Sequence, residues 1–362
     1  LSASLNEQDL RMALVRSKTR VLFIADTWAD RRYAEEIAAL APHCECLEHI
    51  VVARTGTAKL SLPTNTRLSW ERFHRATALA PPSSEILDRR RPAADSVAHL
   101  LFAPRDSGLV GVLHRHESLM GAVGVHAERL GLEGTDRIVV GSSVAEQAGF
   151  LYGMWLALAL GLPQVILGLW NPPRALRAIR DWRATFFQGP SHMLNELLQA
   201  AKTSLDIQLP LRLVVPVGES IPAELMVRAK ELHIRLCAAF GTAESCLATL
   251  VNPTDAIEKT SGRGRALPGV RLRICDEDNR ELPPGVQGQL QIRSETLFAG
   301  YLDDEARTAE AYTPDGWYRT GIQAHLDDEG HLHLPAQRVE TTAIGPSALI
   351  RTPHGFSREV TT

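Results

Sequence analysis

The chain has 362 residues, 44% hydrophobic and 22% charged, with a formal net charge of -3 and a mean hydropathy of -0.09. That balance excludes wholesale disorder, and without a basic excess it points away from nucleic acid and anionic membrane as partners. The five scattered cysteines, an odd number, argue against a disulfide framework and suit a reducing cytoplasm, the expected location.

The opening stretch LSASLNEQDLRMALVRSKTR is charged throughout and lacks an apolar h-region, so no signal peptide is expected; its start on Leu rather than Met reads as a trimmed end. Residues 20–54 read strand, helix, strand: RVLFIAD, then DRRYAEEIAALAP with apolar residues at helical spacing, then LEHIVVA. This is a βαβ unit and implies parallel sheet. Residues 55–95 are polar and rich in Pro and Arg, and read as loops and short helices.

From 97 to 250 strand and helix patterns alternate. The apolar run 148–170 approaches the length of a membrane span, but Pro163 and Gln164 split it, so it reads as a buried helix feeding a buried strand. After about 260 the grammar changes to hairpin patterns, a short helix (DDEARTAEAY) and a strand pair around HLDDEGHLHLP. The predicted fold is α/β, with doubly wound, mostly parallel sheets carrying helices on both faces, plus a smaller C-terminal β-rich subdomain. The expected division is a partial N-terminal βαβ subdomain over 1–96, a central α/β subdomain over 97–258, a β-rich subdomain over 259–335, and a hinge-like segment and linker over 336–362.

The segment GYLDDEARTAEAYTPDGWYRTG (300–321) is long and specific. With it, in order, stand LLFAPRDSGLVGVLHRHESLM (100–120), SSVAEQAGFLYG (142–153), VGESIP (217–222) and AAFGTAES (238–245). Over roughly 20–345 the chain resembles the adenylate-forming superfamily of acyl-CoA synthetases, luciferases and peptide-synthetase adenylation domains. Within that group it looks nearest to medium-chain and cyclohexanecarboxylate-type acid:CoA ligases. The resemblance implies ATP, Mg²⁺ and a small carboxylic acid as ligands if the chain is active. It also implies about a hundred further residues before RVLFIAD, and a mobile C-terminal domain carrying a lysine that contacts the reacting carboxylate. The sequence given stops at Thr362, before that lysine.

Adenylation joins a carboxylate to the α-phosphate of ATP and expels pyrophosphate, so three phosphates, a ribose, an adenine and an acid must be held in line. Several residues that the family uses for this are replaced. Its phosphate loop is rich in Ser, Thr and Gly and ends Pro-Lys-Gly. Here the aligned residues 103–111 are one residue shorter and hold Arg105, Asp106, Ser107, Gly108 and Gly111. The Lys is gone, Pro104 removes a donor, and Asp106 adds negative charge that Arg105 offsets in part. The expected reading is an ordinary strand-to-helix loop that holds no phosphate. The family's ribose-binding Asp is Ile322, and its hinge Gly-Arg aligns with Ala336 and Gln337, Arg338 following one place later. Losing two hydrogen bonds to charged groups weakens nucleotide binding by roughly 10²–10⁴-fold.

The family's His before the acid pocket is Glu146, which would repel an anionic substrate unless protonated or paired, or else faces solvent. In the Thr-Glu motif the Thr is Ala243 with Thr242 adjacent, and Glu244 remains; a lone Glu does not build a magnesium site without phosphate ligands. Its plainer reading is a first-turn helix acid. Gly218, Glu219, Ser220, Phe240 and Gly241 are placed along the cleft, with Phe187, Gln188, Gly189 and His192 in the acid pocket, His192 alternatively being a capping or surface residue. No metal site is expected. His114-x-His116 is read as the tail of the phosphate-loop motif.

Two functions stay open. One is a pseudo-ligase or impaired ligase that binds an acid or acyl group, with an acyl carrier protein or neighbouring synthase domains as partners, as in a starter-acid loading domain of a bacterial polyketide synthase. The other is an active, ATP-using acid:CoA or carrier-protein ligase domain whose C-terminal domain lies outside this chain.

Overall fold

The computed structural model describes residues 1–28, 31–53, 68–73, 82–106, 108–202, 209–218, 221–255 and 262–335. A helix over Glu7–Arg16 opens it, capped by Asn6, whose side chain accepts from the Asp9 amide at 2.8 Å. Next come strands β1 (Val21–Ala25) and β2 (His49–Ala53), flanking the helix Tyr33–Leu40. They pair in parallel, as the βαβ reading predicts, and β2 also pairs in parallel with β3 (Ser69–Arg72). β3 falls where only loops and short helices are expected: four half-exposed residues, Ser-Trp-Glu-Arg, carry too little alternation to signal an edge strand. In the same stretch Ser84–Arg89 is a short helix.

A five-stranded parallel sheet forms the centre, ordered β10-β9-β8-β6-β7. Its strands are β6 (Ile138–Val140), β7 (Gln164–Ile166), β8 (Phe186–Pro190), β9 (Leu213–Val217) and β10 (Arg235–Leu236). Successive strand residues point to opposite faces. Ile138, Val140, Phe186, Leu213 and Val215 pack with Leu119, Val123 and Leu130 of the helix His116–Leu130 and with Leu151, Tyr152 and Leu156. Val139, Phe187 and Val214 pack against Leu176, Ile179, Leu194, Leu197 and Leu225 from the helices Pro172–Asp181, Ser191–Lys202 and Ala223–Glu231. This is the doubly wound, two-faced arrangement expected. The 148–170 run is a buried helix that ends with Gly161 at φ 65, followed by β7. No helix among the described residues is long and apolar enough to cross a membrane.

Two segments depart from the expected alternation. Residues 97–115 form an antiparallel hairpin of β4 (Val97–Arg105) and β5 (Gly108–Arg115), where a strand-to-helix loop is expected. The stretch IRLCAAFG, read as one strand, divides into β10 and β11 (Ala239–Thr242); β11 leaves the parallel sheet and pairs antiparallel with β12 (Cys246–Leu250), which pairs with β13 (Arg265–Ala266). The C-terminal β-rich part is an antiparallel sheet of β14 (Arg271–Cys275), β15 (Gly288–Arg293), β17 (Tyr318–Leu326) and β18 (Leu332–His333), with β16 (Gly300–Tyr301) added to β5. Its core includes Ile274, Leu290, Ile292, Phe298 and Tyr318, and reaches Val112 of β5 and Phe240 of β11. Arg16 ties the first helix to this region, donating to the carbonyls of Leu109 (3.1 Å) and Leu302 (2.7 Å).

Candidate functional site

The parallel sheet reverses direction at β6: β7 lies on one side, and β8, β9 and β10 on the other. Outside the carboxyl ends of strands at such a reversal, open α/β sheets leave the crevice in which ligands bind. Here that edge is flanked by Gly141 and Ser142 after β6 and by Gln188 and Gly189 on β8. The glycines let large rings approach. A Cβ on Gly189 would stand 2.8 Å from Phe187 Cζ and 2.9 Å from Ser142 Oγ; one on Gly141 would meet Trp170 Cζ3 at 2.7 Å.

Beside this edge runs a buried, uncharged polar lattice. His126 of the helix His116–Leu130 is fully buried, and its Nε2 meets Gln188 Oε1 at 2.8 Å. That carbonyl accepts, so Nε2 carries the proton and Nδ1 is left as an acceptor. His126 Nδ1, Gln188 Nε2 and Ser142 Oγ are all buried without a protein partner. Burial pushes His126 down to about 4 despite the Gln188 contact, so the ring is neutral near neutrality. Further in, the Ala243 carbonyl accepts from His114 Nε2 (2.7 Å) and Gln147 Nε2 (2.9 Å). Burial lowers His114 as well. His99 stacks on Phe150 with ring centroids 4.4 Å apart, and burial first, then His114, depress it to about 4. Tyr152 accepts from the Leu247 amide at 2.7 Å. Cys246 sits at φ 55 beside it, and burial raises its thiol to about 12, far from a thiolate.

The segment aligned with the phosphate loop is built differently. β4 and β5 pair up to Arg105 opposite Gly108, so two residues separate the strands. Gly111 lies inside β5, where a Cβ would stand 2.8 Å from Leu302 Cβ and 2.9 Å from Leu100 Cδ1. Its small size serves strand packing. The turn between β11 and β12 carries Glu244, so this acid is on a β-turn and not in the first turn of a helix, correcting the expectation. Its side chain is 2% exposed, and its Oε1 accepts from Arg105 Nη2 at 2.8 Å and from Tyr301 Oη at 3.1 Å. The Thr242 hydroxyl is occupied locally, accepting from the amides of Glu244 and Ser245 at 3.2 Å each. Ile322, on β17, is half-buried against the β-rich core. A magnesium ion on Glu244, as the resemblance implies, does not fit this donor set. The carboxylate already faces a guanidinium, and no group of three or more His, Cys, Asp or Glu that could hold a metal occurs among the described residues.

The remaining expected residues scatter. Phe240 and Gly241 are buried on β11 next to Ala243. Gly218 ends β9 at φ 85, and its carbonyl accepts from Arg263 Nη2 at 3.0 Å. Glu146 caps the short helix Gln147–Gly149 and is half-buried. His192 is exposed in the first turn of its helix, whereas Phe187, Gln188 and Gly189, expected on a helix, lie on β8. Ser107, Glu219, Ser220 and Gln337 lie outside the described residues. Sequence reasoning missed Ser142, His99, His126, Gln147 and Tyr152. His114 was noted only as part of the loop motif. The available signal was a polar residue inside an otherwise apolar helical or strand face, as at His126 in SLMGAVGVHAERL.

Comparison with known proteins fits this architecture. The sequence pattern of the family described as AMP-binding enzyme matches residues 1–302. The chain is 24% identical over 347 residues to the medium-chain fatty-acid–CoA ligase of Escherichia coli, covering 95% of this chain and 59% of that protein. It is 37% identical over 113 residues to the nonribosomal peptide synthetase atqA of Aspergillus terreus, covering 29% of this chain and 12% of that one. Its backbone resembles the O-succinylbenzoate coenzyme A synthetase of Bacillus subtilis, solved with ATP and magnesium ion, with TM-score 0.73 and 17% identity over 92% of this chain and 62% of that one. The chain spans from 49% to 59% of the length of the curated CoA ligases it matches over most of its own length. The match over most of its length, together with the doubly wound sheet, its crevice and the appended β-rich part, makes this chain a member of the AMP-binding enzyme family.

Proposed function

We propose that this chain is a ligase-like domain that binds a small carboxylic acid or acyl group at the β6/β8 crevice and in which activation by ATP is lost or severely weakened. The observation that carries this reading is the β4–β5 hairpin. The segment that would wrap phosphates is paired strand up to Arg105 and Gly108, and amides engaged in a ladder are not free to cradle an anion. Ile322 at the ribose position supports the same reading, because its side chain offers no acceptor. The neutral lattice of His126, Gln188 and Ser142 supports an acyl ligand, since its open atoms are hydrogen-bonding groups without charge.

In this reading the natural setting is the cytoplasm of a bacterium, with an acyl carrier protein or adjoining synthase domains as partners, as in a loading domain for a polyketide starter acid. The local similarity to a peptide synthetase agrees with carrier-linked chemistry.

A second reading, an active acid:CoA or carrier-protein ligase completed by residues outside this chain, is favoured by the intact crevice and the family match. ATP and Mg²⁺ would be its cofactors. ATP–pyrophosphate exchange with a panel of cyclic and branched acids decides between them. The first reading expects exchange at background; robust exchange with any acid would establish the second.

A further inference from the structure

Glu244 presents a problem that its neighbours solve. A carboxylate with 2% exposure is stable only with a positive partner and further hydrogen bonds. Three separate segments converge to supply them. Arg105, at the end of β4, brings its Nη2 to Oε1 at 2.8 Å, while its Nη1 donates to its own neighbour, the Pro104 carbonyl, at 3.1 Å. Tyr301, on β16, adds its hydroxyl to the same oxygen at 3.1 Å. The guanidinium is therefore held from two sides, and its side chain is itself only 15% exposed.

We propose that Arg105 is a tethered cation that has taken over, on Glu244, the place a divalent metal would need. The inference deepens the reading of a lost nucleotide site and rests on it for its meaning. One carboxylate and one guanidinium sum to zero, so no negative charge is left to attract a dication. A magnesium ion demands near-octahedral oxygen ligands at about 2.0–2.1 Å, and the oxygen it would take already accepts two hydrogen bonds. The same contact closes the hairpin onto the β11–β12 turn, 139 residues away in sequence. The hairpin's closure and the loss of the metal are in this way one structural event.

Mn²⁺ without nucleotide is the probe, and melting temperature and water-proton relaxation are the readouts. Arg105→Ala should melt roughly 5–10 °C below the wild type, because a buried charge loses its partner. Millimolar Mn²⁺ should raise the melting temperature of Arg105→Ala but leave the wild type unmoved. The double variant Arg105→Ala/Glu244→Gln should melt above Arg105→Ala and lose the Mn²⁺ response. Equal Mn²⁺ shifts in all three proteins, or a double variant no more stable than Arg105→Ala, would overturn the proposal. Should Arg105→Ala not fold, relaxation decides with folded proteins: wild type and Glu244→Gln must bind Mn²⁺ equally, and loss of binding in Glu244→Gln would show that the metal uses this carboxylate after all. Pyrophosphate exchange reads the other claim separately. Wild-type exchange with an unchanged Mn²⁺ pattern would sink the lost-activation reading and leave the tethered cation standing.

Discussion

His126 shows how the interior of this site controls charge. Its ring is fully buried, is held neutral by desolvation to about 4, and touches Gln188 on the strand that borders the crevice. An unfolded histidine binds its proton near 6.5, so between about 6.5 and 4 the unfolded chain holds the extra proton. Stability therefore falls as pH drops through 6.5 and stops falling, on this account, near 4. The expected loss is about 2 kcal/mol at pH 5 relative to pH 7.5 for this ring alone. Urea midpoints at the two pH values measure it. His126→Gln should lower stability at both but flatten the difference, and an undiminished pH slope in that variant would place the titration elsewhere.

At the scale of elements, the β4–β5 hairpin separates this chain from the loop its sequence position suggests. It is tied down from outside as well as along its ladder, because the first helix sends Arg16 to the Leu109 carbonyl on β5 and to Leu302 just after β16. Arg16→Ala should cost about 1–3 kcal/mol and speed amide exchange at the β4–β5 tip ahead of the parallel sheet. Uniform exchange across both would mean that the clamp is incidental. The sequence made the β-rich C-terminal part and the alternating centre readable, since period-2 and helical patterns there are uninterrupted. It did not reveal the hairpin. GLVGVLHR follows a Pro-containing run with two residues between, and a charged Asp106 disguised the turn as a loop. Nor could it reveal His126 or Ser142, whose role comes from strand order, a non-local property. Glu244 was legible as a residue to watch, but its partner Arg105 was not, because an ion pair spanning 139 positions leaves no periodic trace.

Over the whole molecule, two helical layers enclose the parallel sheet and the antiparallel part adds a wall beside it, so that acyl recognition and nucleotide recognition fall to different components. The crevice belongs to β6 and β8, whereas the altered residues belong to the β4–β5 hairpin, the β11–β12 turn and β17. The two capacities should separate in a ligand-induced melting shift, since only a ligand that binds the native state raises the melting temperature. Cyclic and branched acids or their thioesters should raise it, and ATP with Mg²⁺ should not. Gly189→Ala, whose new methyl would meet Phe187 and Ser142, should abolish the acyl shift. A shift with ATP–Mg²⁺ and none with any acyl compound would reverse the assignment.

The helix that carries Tyr152 holds one more consequence. Between Gln147–Gly149 and Leu156–Leu160 it widens into a π-helical stretch over Phe150–Trp155, which accommodates a residue that ordinary helical winding would not. Removing one residue there would rotate everything downstream by about 100°. Leu156 and Ala157, now fully buried, would swing toward water, and Leu158, now 60% exposed, would turn toward the sheet. Single-residue deletions are therefore closed to this segment, while substitutions that keep its length remain available, and drift in this part of the chain is confined to changes of side chain.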